Sequence, residues 1–447
     1  MHSSKVTARN RFGNRRHRSS GALVAGTALV AAFTMVIASC GSSGGASGAS
    51  AVAGNSSSAS SQAAAGNTGA TGSSGAVAAS GGPIELGQIA SLTGNYTPLG
   101  TNNKLGADLA VQQINDAGGV LGRPLKISVK DDQSSPDQAV IAFNDLASTG
   151  VAAVIGSSNS NASLAVIPIA ERKKISYIST AAADEQIDPV RSFGYMTTPT
   201  AGVIAEQLLR YFKAKGMTKM AVAYNTQQAY AVTGWKKMEA LADKYGISFV
   251  DKETFETSMT DFASVLTHVS SSGAQGLMVW VTGAPAVIIT KQMATSGPKI
   301  PLIFSPAEAS TLYTKPAGSA AVGVILACSV ASVGPDLPAS KLKDTVMAMA
   351  TAFQKANGTY PPQFAFDGYD AVELIAAAIK KADSADPVKV QQALDTLTLL
   401  APEGTYHLSP TDHSGLTVDD VAIAVVKSDG SLSATDWSKQ ELAKTLK

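Results

Sequence analysis

From about Ile84 onward, short apolar runs alternate with segments of helical periodicity, and they do so in two consecutive series. The first series contains the runs IELGQIASL, LKISVKDD, VAAVIG and ISYIST. Between the first two, Asn102 or Asn103 can cap a helix to about Asn115. Leu105, Leu109 with Ala110, and Val111 with Ile114 recur there at helical spacing. Ser135-Pro136-Asp137 is a second helix start, with a capping hydroxyl, Pro at the first helical position and an acid in the first turn; that helix reaches about Ser148. The second series has helices over 204–215, 233–244, 262–271 and 286–295, and strands MAVAYN, ISFVDKETF, GLMVWV and PLIF. After these come GVILACSVA, helices near 341–355, 370–381 and 388–397, and a terminal strand VAIAVV. Strict strand–helix alternation demands parallel strands with helices over both faces. Two such series in a 447-residue chain, too long for one compact core, predict an α/β protein with two doubly wound parallel-sheet lobes.

The front of the chain reads as an export signal. The first 39 residues carry six basic side chains (Lys5, Arg9, Arg11, Arg15, Arg16, Arg18) and no acid. An uncharged stretch from Gly21 to Ser39 follows them, and its apolar part is short for a membrane span of roughly 20 residues. It ends in Val36-Ile37-Ala38-Ser39-Cys40, small residues before a cysteine, which resembles the bacterial lipobox in which that cysteine is acylated. An ordinary signal peptide with an incidental cysteine is the plainer alternative. Residues 41–82 are almost all Ser, Gly and Ala and cannot bury a core, so 40–82 reads as a lipidated cysteine on a flexible tether. The only other cysteine, Cys328, lies in an apolar run and is expected to be a buried thiol.

Without the signal, the 35 basic residues fall to 29 against 34 acidic ones. A mildly acidic body has no electrostatic reason to bind nucleic acid. Of its histidines, only His407 and His413 lie near each other, in a polar turn. No Gly-x-Ser-x-Gly elbow, phosphate loop or dinucleotide fingerprint is present. The expectation is therefore a binding protein rather than an enzyme, with no metal and no cofactor.

The stretch VAAVIGSSNSNAS (151–163) points to a site. An apolar strand hands over to a helix through Ser157, Ser158, Asn159, Ser160, Asn161 and Ser163. Ligands of open parallel sheets bind beyond the carboxyl ends of the strands. There, helix N-terminal N–H groups and short hydroxyls favour an anion or a polar oxygen. One such residue suffices for capping, and six suggest ligand contact as well.

The segments SLTGNYTPLGTNNKLGADLAVQQINDAGGVLGRPLKISVKDDQSSPDQAV, VIGSSNSNAS, PIAERKKISYIS, YNTQQAYAVTGW and FDGYDAVELIAAAI, in this order, resemble the leucine/isoleucine/valine-binding family of type I periplasmic binding proteins. The resemblance runs from Ile84 to the C-terminus. It implies two lobes joined by a three-strand hinge and closing on a small molecule, with residues 83–200 plus 331–404 in the first and 201–330 plus 405–447 in the second. It implies an extracytoplasmic receptor, monomeric, held to the outer face of the membrane through Cys40, that delivers an amino acid or a related amide or carboxylate to an ABC permease and its ATPase. A ligand sensor of the same fold that signals to a partner protein is the alternative.

Carried over position by position, the resemblance puts the carboxylate-binding serine on Ser160 and a backbone contact at Ala181 or Ala182. The hydroxyl that should follow falls on Ala183, which has none. The first-loop aromatic aligns with Leu99, with Tyr96 close by. Tyr230 takes the position of a cleft tyrosine, or merely packs. Another tyrosine position is occupied by Thr282. The acid that pairs with a ligand ammonium falls near Glu308, which could equally be a solvated loop acid. Trp280 is expected in the core, Asp367 and Asp370 at the start of a helix, and Tyr369 in the hinge or the first core.

Overall fold

The computed structural model describes residues 81–446. The expected signal segment 1–39, Cys40 and nearly all of the tether lie outside them.

The first series builds a five-stranded sheet in the order β2-β1-β3-β4-β5, every pairing parallel. Its strands are β1 (Ile84–Ala90), β2 (Leu125–Asp131), β3 (Val154–Ile155), β4 (Tyr177–Ser179) and β5 (Gly194–Met196). Helices α1 (Thr97–Asp116), α2 (Pro136–Ala147) and α3 (Ser160–Lys173) connect them. The alternation of side chains along β1 serves both faces. Leu86 joins a core with α1, and Ile89 joins one with Phe143 of α2 and Val166 of α3.

The second series builds a seven-stranded sheet in the order β14-β13-β10-β9-β8-β6-β7. Here β6 (Lys219–Asn225), β7 (Ser248–Phe255), β8 (Leu277–Trp280), β9 (Leu302–Phe304) and β10 (Ile325–Ser329) run parallel. Helices α4 (Ala201–Ala214) and α5 (Ala229–Tyr245) pack on one face. On the other lie α6 (Ala263–Ser271), α7 (Ala284–Ser296), the short α8 (Thr311–Ala317) and α9 (Lys341–Asn357). After α10 (Gln363–Ala382) and α11 (Pro387–Leu394), a hairpin of β11 (Thr398–Ala401) and β12 (Gly404–His407) forms. The chain ends with β13 (Val421–Val426), β14 (Leu432–Ala434) and α12 (Asp436–Thr445). Both β13 and β14 pair antiparallel, so this sheet is not wholly parallel. VAIAVV is buried on both faces like a parallel strand, and its direction leaves no mark in the pattern.

The chain crosses between the two sheets three times: between β5 and α4, after β10, and between β12 and β13. Tyr406, Leu408 and Leu416 pack in the first sheet's core. The hairpin and the turn after it thus belong with that core, whereas the sequence put everything from 405 onward in the second lobe. Conversely, Leu342, Val346, Met349 and Phe353 of α9 join the cluster that covers the second sheet, although 331–404 was expected in the first lobe.

Some helix starts and caps differ from expectation: α4 begins at Ala201 rather than 204 and α5 at Ala229 rather than 233. Helix α1 begins at Thr97 with Pro98 in its first turn, so Asn103 is an interior residue, fully buried. The Ser135 hydroxyl makes no cap hydrogen bond, although Pro136 and Asp137 open α2 as expected. Helix α10 begins at Gln363, so Asp367 and Asp370 sit inside it, both fully buried. Close approach fixes α10 against α1. A Cβ on Gly106 would fall 1.8 Å from the Ala365 carbonyl oxygen, and one on Gly368 would fall 2.1 Å from that of Asn103. Only glycine permits this spacing, and it sets Phe364 against Asn103 of α1, with Gln363 beside Ser329 at the end of β10. Tyr369 donates to Gln113 Oε1 at 2.7 Å across the same contact. Cys328 is buried and Trp280 is fully buried in the second core.

Candidate functional site

The hydroxyl-rich tract divides its labour. Ser157 Oγ accepts from Asn159 N–H at 3.0 Å, Asn159 Oδ1 accepts from Asn161 N–H at 3.0 Å as the cap of α3, and Ser163 Oγ donates to the Ser157 carbonyl at 3.0 Å. These three side chains wire the turn. Ser158, Ser160 and Asn161 instead border a cavity.

That cavity lies between the strand tips of both sheets. The first sheet contributes Tyr96, Leu99, Thr180, Ala181, Ala182 and Thr198; the second contributes Gln228, Ala229, Tyr230, Thr282, Pro306 and Ala307. Gln363 and Phe364 of α10 complete it. The space open to the centre of a water-sized sphere is about 40 Å³, several times the roughly 10–15 Å³ that one water needs. Of the residues carried over by resemblance, Tyr96, Ser160, Ala181, Ala182, Tyr230 and Thr282 all border this one space, as does Leu99. Glu308 does not, although its neighbours Pro306 and Ala307 do.

Each wall residue is held by its own element. Ser160 opens α3, and its Oγ accepts the Ala183 N–H at 3.4 Å; Ala183 therefore supplies an N–H to Ser160 in place of the missing hydroxyl. Tyr230 sits at the start of α5, its ring edge-on to Trp280 at 5.5 Å between centroids. Its hydroxyl is buried without a partner among the described residues, and burial raises its pKa. Burial likewise pushes Tyr96 up to about 12. Glu308 is 1 % exposed, not solvated. Both of its carboxylate oxygens are buried without partners, and burial holds the group well above the usual carboxylate range.

Sequence reasoning passed over Asn103, Thr198, Gln228 and Gln363. Asn103 ties the sheet tips to α10: its Oδ1 accepts from Thr180 Oγ1 at 3.0 Å and from Ser158 Oγ, and its Nδ2 donates to the Phe364 carbonyl at 2.6 Å. A polar residue on the apolar stripe of α1 was the signal available for it.

At the rim, the two halves touch. Asn161 Oδ1 accepts the Ala229 N–H at 2.9 Å, and Asn161 Nδ2 donates to the Gln227 carbonyl at 3.0 Å. A carboxamide on α3 thus caps the free N-terminus of α5 across the cleft. Lys237 Nζ lies 3.2 Å from Asp184 and 3.6 Å from Asp188, and the Thr233 hydroxyl meets the Glu185 carboxylate. The structure is therefore a closed arrangement around an internal space. No charged side chain borders that space. Among the described residues no group of His, Cys, Asp and Glu is arranged to hold a metal ion, and no helix is long and apolar enough to cross a membrane.

Two α/β halves with facing strand tips, three crossings and an uncharged cavity between them make the architecture of a two-lobed ligand-binding protein. Residues 83–431 match the periplasmic binding protein family, and the chain belongs to it, with the fold of its type I members. It is a ligand-binding receptor rather than an enzyme, of a family whose place is outside the cytoplasm. Among its relatives is the Leu/Ile/Val-binding protein homolog 3 of Brucella melitensis, 26 % identical over 308 residues, covering 68 % of this chain and 80 % of that one. Among solved structures, the branched-chain amino acid transporter substrate binding protein LivJ of Streptococcus pneumoniae, in complex with isoleucine, superposes with a TM-score of 0.70. It is 22 % identical, and the match covers 79 % of this chain and 98 % of that one. A solute binding protein of an ABC transporter of R. palustris, in complex with benzoate, matches with a TM-score of 0.69 at 22 % identity, over 79 % of this chain and 95 % of that one.

Proposed function

We propose that this protein captures a small polar solute, an amino acid or a related amide or carboxylate, by closing its lobes over it, and delivers it to an ABC permease driven by an ATPase. The observation that carries the reading is the enclosed cavity lined from both sheets, with Ser160 on one wall and Tyr230 on the other. Ser160 and the amides around Ala181 and Ala182 receive a ligand oxygen; Tyr230 and Thr282 meet the ligand from the second lobe. Ligand bridging both walls shifts the open–closed equilibrium toward closed. Exclusion of water then strengthens each hydrogen bond in the lower local dielectric. Cys40, acylated, tethers the receptor to the outer face of the membrane, since two or more acyl chains at roughly 0.8 kcal/mol per buried CH2 give a durable anchor.

Mass spectrometry of solutes that co-purify with the protein, followed by titration calorimetry with those solutes, tests the reading. Saturable binding accompanied by compaction in small-angle scattering is expected. Absence of both a co-purifying solute and any saturable binder would overturn it.

A further inference from the structure

Two glutamines of the cavity wall are locked in opposite senses. Gln228, 5 % exposed, donates through Nε2 to the Thr282 carbonyl at 2.9 Å. A carbonyl cannot accept from an oxygen, so the carboxamide cannot flip. Its Oε1 is left buried, without a partner among the described residues, as a fixed acceptor. Gln363, 3 % exposed, is locked the other way: its Oε1 accepts the Ser329 N–H at 2.9 Å. Its Nε2 finds no partner among the described residues and is a fixed donor. The hydroxyls of Thr198 and Tyr230, also buried in the wall without a partner among the described residues, serve as either donor or acceptor.

Resting on the reading of this cavity as the solute site, we propose that Gln228 and Gln363 select a neutral ligand end that carries both a donor and an acceptor, a carboxamide or urea-like group, over a carboxylate or an ammonium. A carboxylate offers only acceptors and is opposed by Gln228 Oε1. An ammonium offers only donors and is opposed by Gln363 Nε2. A zwitterion such as leucine could set its ammonium at Gln228 and its carboxylate at Gln363, but neither ion meets a countercharge from the wall, because no charged side chain among the described residues borders the cavity, and a buried ion without one is costly. Glu308 does not border the cavity, and its burial raises its carboxyl well above the usual carboxylate range. A carboxamide carries both the donor that Gln228 Oε1 lacks and the acceptor that Gln363 Nε2 lacks.

The test uses isovaleramide, leucine and isovalerate as probes in titration calorimetry, with solutes recovered from the purified protein as a fourth set. Isovaleramide is expected to bind at least tenfold more tightly than leucine or isovalerate. Gln228→Met should weaken isovaleramide roughly 10–100-fold, the loss typical when a buried polar partner is removed. Gln363→Glu keeps the bond to Ser329 N–H and the shape, and replaces the donor with an acceptor. It should reverse the ranking, so that leucine binds more tightly than isovaleramide. Thermal unfolding of each variant confirms that it is folded. Leucine or isovalerate binding more tightly than isovaleramide to the wild type overturns the inference and leaves the solute site standing. So does an unchanged ranking in Gln363→Glu, or a recovered solute that lacks an amide or urea group. If no probe binds and no solute is recovered, both readings fail.

Discussion

One face of α10 serves two buried polar regions that are built on opposite plans. Gln363, at its start, borders the cavity; Asp367 and Asp370, one and two turns on, point into the hinge. The cavity is bordered by uncharged side chains, and the unpaired amide and hydroxyl atoms lie in its wall. In the hinge, three carboxyls are packed together with no cation. Asp367, Asp370 and Glu403 are all fully buried. Asp370 Oδ2 accepts the Glu403 N–H at 2.9 Å and the Tyr406 hydroxyl at 3.1 Å, and the Tyr406 hydroxyl also lies 2.7 Å from the Thr197 carbonyl. The difference separates two meanings of a buried unpaired atom. Beside a cavity it awaits a ligand; inside a packed hinge it is relieved by holding a proton.

The largest expected effect tests that distinction through pH. Burial chiefly raises each of the three acids: Asp367, although its hydrogen bond with Glu403 lowers it, is pushed up to about 8, and Asp370 and Glu403, raised further by the neighbouring acids, lie well above the usual range. Nearby Asp420 is pushed up to about 6, again chiefly by burial. The groups facing the three acids are Cys328, Ser329, Tyr369, Glu373, Tyr406 and Asp420, none of which supplies positive charge; His407 lies beside Asp420 and lowers it. An acid whose folded pKa is raised binds its proton more tightly in the folded state. The stability it contributes is complete below the unfolded value near 4 and is lost as pH rises through about 8. The slope for each proton reaches about 1.4 kcal/mol per pH unit. Urea unfolding at about pH 5, 7 and 9 should therefore show falling midpoints, and Asp367→Asn should flatten the fall. A level profile in the wild type, or the same slope in Asp367→Asn, would show that the hinge acids are ionised and neutralised by some other means.

A smaller effect is expected in the cavity, and on binding rather than folding. Ser160→Ala removes a wall hydroxyl that Ala183 N–H orients. It should weaken binding of the recovered solute by about 1–3 kcal/mol, since a ligand oxygen is left buried and unpaired. The urea midpoint should barely move, because the cap of α3 is Asn159 and not Ser160. A lowered midpoint with unchanged affinity would place Ser160 among the structural hydroxyls with Ser157 and Ser163.

Much of this plan was readable along the chain, and where it was not the reason is physical. Alternating apolar runs and helical periods specify the parallel sheets, because a strand buried on both faces must be apolar throughout. The strand β5, three residues long, and the direction of β13 leave no such signature. The tract at 157–163 announces a strand tip by its excess of short polar side chains. Gln228 and Gln363 stay silent, since their locks, Thr282 and Ser329, lie 54 and 34 residues away. Asp367 and Asp370 read as a helix start because acids are seldom fully buried. The glycine-mediated contact that carries α10 back to Gln363 is a tertiary fact. Glu308 read equally as a ligand's acid or a solvated loop acid, and its full burial beside the cavity wall is set by neighbours distant in sequence.

The smallest effect concerns the outer edge of the cleft, where charge returns. Lys237 of α5 meets Asp184 and Asp188 across the closed rim at 3.2 and 3.6 Å. Its side chain is 40 % exposed and that of Asp188 73 %, whereas the nearer Asp184 is 10 % exposed, so water and salt reach the contact from the lysine side and screen it. Exposed ion pairs contribute about 0.2–1 kcal/mol. Lys237→Ala should therefore weaken solute binding only a few-fold at low salt, and by less still at about 0.5 M, where the Debye length is shorter than about 8 Å. The Asn161 cap of α5 carries no charge and should keep its full effect at either ionic strength. Closure would then be held by neutral hydrogen bonds at the cavity and only trimmed by ion pairs at its edge. If Lys237→Ala instead costs more than tenfold and salt leaves that loss unchanged, the rim is a dry determinant of closure, and the contrast between neutral interior and screened edge does not hold.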